Sequence, residues 1–130
     1  MQPEDVVHVL DNMVQAVKTG GLVLDLQVIR VNPRVETGGG LLSEIDGEPL
    51  FRKADAATGA VDGLVAGSRL VEEAVDDHDV LKHYVNGADL VDDFAHRERR
   101  LPNESLPGLR VLMRPCVVRE RCRLRRLRAL

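Results

Sequence analysis

Four stretches of the chain carry residue types that could do chemistry. Asp76-Asp77-His78-Asp79 sets three carboxylates beside an imidazole, donors of the kind that hold a divalent cation. Adjacent acids in a turn are also an ordinary solvated corner, so no metal site is expected. His78 and His83 are an odd number of residues apart, so on a strand they face opposite ways and do not serve one ion. His83, Tyr84 and a nearby carboxylate suit acid–base work, but their spacing selects no reaction and no catalytic residue is assigned. Tyr84, the single tyrosine, reads as a half-buried strand residue. Gly38-Gly39-Gly40 could bring backbone amides close to a phosphate. That use needs a following helix N-terminus and a Lys or Ser/Thr partner. The run Leu41 to Ile45 follows instead, so a hairpin tip is expected.

The longest pattern lies near the end. Residues 116–128 alternate with period two, placing Arg119, Arg121, Arg123 and Arg125 on one strand face. Cys116, Val118, Cys122 and Leu124 fall on the other. Like charges in a row repel unless carboxylates or an anionic ligand lie against them. One reading pairs the stripe with acids of the same chain or leaves it solvated. The other makes it a binding face for an anionic ligand or a carboxylate-rich partner. Residues 1–93 carry 18 acidic and 7 basic side chains, whereas residues 94–130 carry 3 and 11. Halves of opposite sign favour pairing within the chain or head to tail. With two Phe, one Tyr and no Trp there is little to stack bases on, which argues against nucleic acid.

The elements that must position these residues follow from periodicity. Val6, Val7, Leu10, Met13, Val14 and Val17 form one face of a helix over residues 3–18, with Pro3, Glu4 and Asp5 suited to its first turn. Gly20 and Gly21 stop it. Leu22 to Ile29 is apolar on both alternating faces apart from Asp25 and Gln27, as in a parallel strand covered on both sides. In residues 30–40 Pro33 ends regular pairing, and the three glycines make a flexible turn between two short extended pieces. A second helix spans residues 48–66, with Leu50, Phe51, Ala54, Ala57, Val61, Leu64 and Val65 on one face and Gly67 as its cap. Residues 69–76 and 79–85 read as strands flanking the acidic corner. Asn86 caps a third helix reaching about Arg99, where His96, Arg97, Arg99 and Arg100 suit the dipole. Residues 101–108 read as a loop.

At 130 residues a single domain is expected. On an extended strand Cys116 and Cys122 are about 20 Å apart, too far for a disulfide. They are expected as reduced core residues, in keeping with a cytoplasmic protein. No apolar run is long enough to span a membrane, and the N-terminus lacks a secretory signal pattern.

The order helix, Gly-Gly, apolar strand, helix, strand, helix and basic strand resembles the C-terminal half of a class I S-adenosylmethionine-dependent methyltransferase. Val17-Lys18-Thr19-Gly20-Gly21-Leu22-Val23-Leu24-Asp25 stands where that family carries a helix-ending Pro-Gly-Gly turn before its fifth strand, with Thr19 replacing the proline. The resemblance implies an α/β fold with a mixed sheet of about four strands and three main helices. It implies no cofactor site, because the family's glycine-rich loop and acidic residue lie in the absent first half. S-adenosylmethionine would bind only if a partner chain supplied that half. The family's fifth strand lies between the fourth and the seventh. Without a fourth, Leu22, Leu24, Leu26 and Val28 would form a bare edge, expected to be covered by a second copy or a separately encoded partner.

Overall fold

The computed structural model describes residues 3–97 and 99–130. The chain is α/β, with four α-helices and five strands that pair antiparallel. In chain order these are α1 (Pro3–Ala16), β1 (Leu22–Val28), β2 (Arg34–Thr37), β3 (Gly40–Glu44), α2 (Glu48–Ala66), β4 (Leu70–Tyr84), α3 (Gly87–Phe94), α4 (Leu106–Arg110) and β5 (Cys116–Ala129). β5 hydrogen-bonds to β1, β2 and β4, and β2 also to β3. The expectation of a four-stranded mixed sheet is thereby corrected in both count and direction. The chain divides into two compact units, one of Met1–Ile29, Phe51–His78 and Cys122–Leu130, the other of Arg30–Leu50 and Asp79–Arg121.

In the first unit, Leu10 and Val14 of α1, Ala57, Val61 and Leu64 of α2, Val23, Leu70, Leu127 and Ala129 form one apolar cluster. Each fully buried Val or Leu contributes roughly 1.5–3 kcal/mol of transfer free energy. The side chains of Glu4, Asp5, Val6 and Val7 lie outside the described residues, and Met13 is exposed rather than core. Gly20 takes a φ of +83°, the left-handed conformation that ends a helix cheaply only in glycine. A Cβ on Gly21 would stand 2.6 Å from Val17 Cγ1, so the turn needs both glycines. Gly20 N–H donates to the Ala129 carbonyl and Ala129 N–H to the Gly21 carbonyl, tying this turn to the end of β5.

β1 pairs antiparallel with β5, Leu22 opposite Arg128 through Val28 opposite Cys122. It is covered on one face only. Val23 and Asp25 are buried, while Leu22, Leu24 and Leu26 are exposed. This corrects the doubly covered parallel strand: apolar content on both faces does not by itself put a second layer over both. α2 ends as a Schellman motif, with Arg69 N–H donating to Leu64 O and Ser68 N–H to Val65 O. The left-handed residue there is Ser68, with φ +59°, not Gly67.

In the second unit, Val35, Ile45, Tyr84, Leu90, Val91, Phe94, Leu101, Leu109, Cys116 and Val118 form the core. β2 and β3 make the expected glycine hairpin, with Thr37 opposite Gly40. β2 lies against β5 through Arg34–Arg119, Val35–Val118 and Glu36–Val117. Asn86 caps α3, accepting from Asp89 N–H at 2.9 Å, but the helix stops at Phe94 and not near Arg99. Residues 101–108 are not all loop: Asn103–Ser105 form a 3₁₀ turn that leads into α4.

β4 is one continuous strand, so the acidic corner is not a turn. β5 alternates as expected, and both cysteines are buried thiols outside any disulfide. The buried parity changes along it, however. Cys116, Val118, Glu120 and Cys122 are buried at even positions, and Arg125, Leu127 and Ala129 at odd ones. Arg125 therefore departs from the rest of its stripe by being buried, and Leu124 is only half-buried.

Candidate functional sites

Strand β4 brings the acidic run against the arginine stripe. In the first unit, Asp77 holds Arg123 at 2.8 and 3.0 Å. Arg125 reaches Glu72 at 2.6 Å and Asp62 at 2.8 Å, and Asp76 lies 3.0 Å from His78 Nδ1. In the second unit, Asp79 accepts from Arg119 at 2.9 Å and from Arg121 at 3.1 Å, and Glu36 accepts from Arg119 at 2.9 Å. The two arginines hold the Asp79 carboxyl below its usual range, and Glu36 first, then Asp79, reinforce the charge of Arg119. Burial works against the charge of Arg125, but its two carboxylate bonds outweigh that and raise its pKa. All four stripe arginines thus have carboxylate partners from the same chain, which supplies the counter-charge an external anion would otherwise provide. Among the described residues no group of three His, Cys, Asp or Glu is placed to hold a metal ion.

The acid–base candidates separate. Tyr84 O–H donates to Asp93 Oδ2 at 2.5 Å, and Asp93 also takes Arg97 at 3.0 Å and Lys82 at 3.1 Å. Burial first, then the Asp93 bond, push the Tyr84 phenol upward. The Tyr84 bond and those of Arg97 and Lys82 push Asp93 well below the usual carboxylate range. A general acid or base works best with a pKa near the working pH. Tyr84 is pushed above that range and Asp93 below it, and the bond between them clasps β4 to α3, while His83 is exposed.

Leu22, Leu24 and Leu26 are 49%, 61% and 53% exposed. Leu26 stands opposite the half-buried Leu124. Leu22 and Leu24 stand opposite Arg128 and Arg126, both of which reach Glu73. Val28, the fourth expected edge residue, is half-buried. β5 is the only strand paired with β1 among the described residues, so its other edge keeps unpaired backbone groups.

A further site escaped the sequence. In the second unit, Val91, Phe94, Leu101 and Leu106 line a hollow of about 410 Å³ rimmed by Arg97, Arg99, Arg100 and Arg110. The basic residues near Arg97 suit a helix end so well that they conceal this. With α3 ending at Phe94, they lie beyond the helix.

Comparison with known proteins finds no family model, no curated protein and no solved structure that matches the chain.

Proposed function

We propose that the chain acts by self-association, as a methyltransferase-like half domain without its own cofactor site, and that a second copy covers the free edge of β1. The observation that carries this is an edge strand with three leucines about half exposed and a single strand neighbour. Their exposed area is on the order of 300 Å², the scale at which an apolar patch marks an interaction surface. Arg126 and Arg128, opposite Leu24 and Leu22, are engaged by Glu73, and the leucines stay exposed. An antiparallel copy would continue the ladder and bring leucine rows side by side. The methyltransferase part has a narrower support: among the described residues β1 lies beside β5 on one edge and has no strand on the other, as a fifth strand without its fourth would.

Sedimentation at micromolar concentration tests the association. A dimer is expected, with Leu24→Lys shifting it to a monomer whose circular dichroism matches that of the parent. A wild-type chain that is strictly monomeric overturns the reading. Titration of the assembled protein with S-adenosylhomocysteine then tests the methyltransferase part separately, since micromolar binding requires assembly to rebuild a cofactor pocket.

A further inference from the structure

The hollow of the second unit has a volume typical of small-molecule sites. Its floor is apolar: Val91 and Phe94 of α3, Leu101 beyond it, and Leu106 at the start of α4. Its rim is cationic, and no Asp or Glu lines it among the described residues. The four guanidiniums are not equivalent. Arg97 is neutralised by Asp93, which it grips through Nε and Nη2. Arg99 is buried, packs over the Phe94 ring at 5.3 Å and pairs with Glu120. Arg100 and Arg110 are exposed and have no carboxylate partner among the described residues. The main chain of Arg100 is fixed by paired bonds with Asp46, so this charge is held at the rim by backbone.

Two uncompensated guanidiniums beside an apolar floor repel one another, and neither water nor a neutral solute satisfies both parts of the site. An anion relieves the repulsion, and the planar fork of arginine suits the oxygens of a carboxylate or phosphate. An apolar body attached to that anion displaces water from Phe94, Leu101 and Leu106. We infer that this hollow binds a small organic anion, its apolar body on Phe94, Leu101 and Leu106 and its carboxylate or phosphate group on Arg100 and Arg110. The proposal is independent of the β1 edge, which lies in the other unit.

The test is calorimetric titration of the full chain with sodium octanoate and with octyl phosphate, beside 1-octanol and inorganic phosphate, which each carry half of the recognised chemistry. At least one octyl anion is expected to bind with a submillimolar Kd, about tenfold or more tighter than either half-probe. The tighter of the two identifies the head group. Arg100→Gln combined with Arg110→Gln should weaken that binding about tenfold at an unchanged melting temperature. Should the double variant melt lower, Arg100→Lys keeps the charge but loses the fork, and a severalfold weakening is expected instead. Octanol binding as tightly as the anions, an unchanged Kd in these variants, or no heat from either anion at millimolar concentration overturns the proposal.

Discussion

The alternating arginines of β5, Arg119, Arg121, Arg123 and Arg125, and the group Arg97, Arg99, Arg100 and Arg110 look alike as sequence: four guanidiniums each, within the basic last third of the chain. Folded, they meet opposite circumstances. Arg119, Arg121, Arg123 and Arg125 lie across from strand β4, whose acids stand within hydrogen-bonding reach. In the second group only Arg97 and Arg99 find carboxylates among the described residues, and Arg100 and Arg110 line an apolar hollow. A regular stripe is therefore the less available cation source. Regular alternation is what lets a neighbouring strand answer it residue by residue, whereas an irregular segment leaves charges without a facing partner.

The largest way to break this contrast is Gly87→Ala. A Cβ there would stand 1.9 Å from the Leu109 carbonyl oxygen and 2.9 Å from Leu112 Cβ, both immovable without shifting α4 from α3. A loss of about 3 kcal/mol in denaturant unfolding is expected, together with loss of octyl-anion binding. A variant of parental stability would show that the helices supporting the hollow have slack. Next comes Asp93→Ala, which strands the buried Tyr84 hydroxyl and frees Arg97, at a cost of about 1–2 kcal/mol. It should also raise anion affinity at the hollow, because a third uncompensated guanidinium joins the rim. Weaker binding at unchanged stability would contradict the role given to Asp93.

Acidity separates the groups more gently. Arginine partners depress Asp79 and Glu73, and the Tyr84 clasp depresses Asp93. A depressed carboxylate contributes stability above its ordinary value near 4 and loses it as pH falls further. Melting temperature should hold near neutrality and decline below about pH 4. Tyr84 is shifted the other way: its neutral form is favoured, so its contribution is complete below about pH 10 and is lost as pH rises further. Tyrosinate absorbance, unambiguous with one tyrosine, should appear at lower pH in Asp93→Ala than in the parent. Identical titrations would remove the clasp. The smallest stability change belongs to Asp77→Asn with Asp79→Asn, since exposed pairs contribute little. Its value is as a gain of function: with Arg121 and Arg123 released, retention on a heparin column should extend to higher salt. Unchanged elution would mean that pairing is not what silences the stripe.

Helix α2 was legible to its boundaries, because Pro49 suits the first turn and Phe51, Ala54, Ala57, Val61 and Leu64 repeat at helical spacing. The alternation of β5 was equally plain. β4 was not, because four consecutive polar residues at 76–79 have the composition of a turn. They sit in a strand because Asp77 and Asp79 meet arginines that lie forty or more residues away in sequence. The overlong reading of α3 arose because basic residues suit a helix end, while the apolar spacing itself stops at Phe94. For β1 the residues were right and the covering was not: Leu22, Leu24 and Leu26 resemble core, and only the position of the helices tells which face they pack on. The hollow had no local signature, since Arg100 and Arg110 are ten residues apart and are related by the turn through Asn103–Ser105.

One consequence of the pairing of β5 concerns how such a chain is made. β1, β2 and β4 all precede it, and each hydrogen-bonds to it. A polypeptide emerging N-terminus first from a ribosome would have released all three before their common partner was synthesised. Leu127 and Ala129 belong to one core, Cys116 and Val118 to the other, so neither could close until those residues appeared. During that interval the leucines of β1 and the valines of β4 would be open to chance encounters. Shielding of nascent strands by a holding chaperone should therefore matter more for this protein than its modest length suggests.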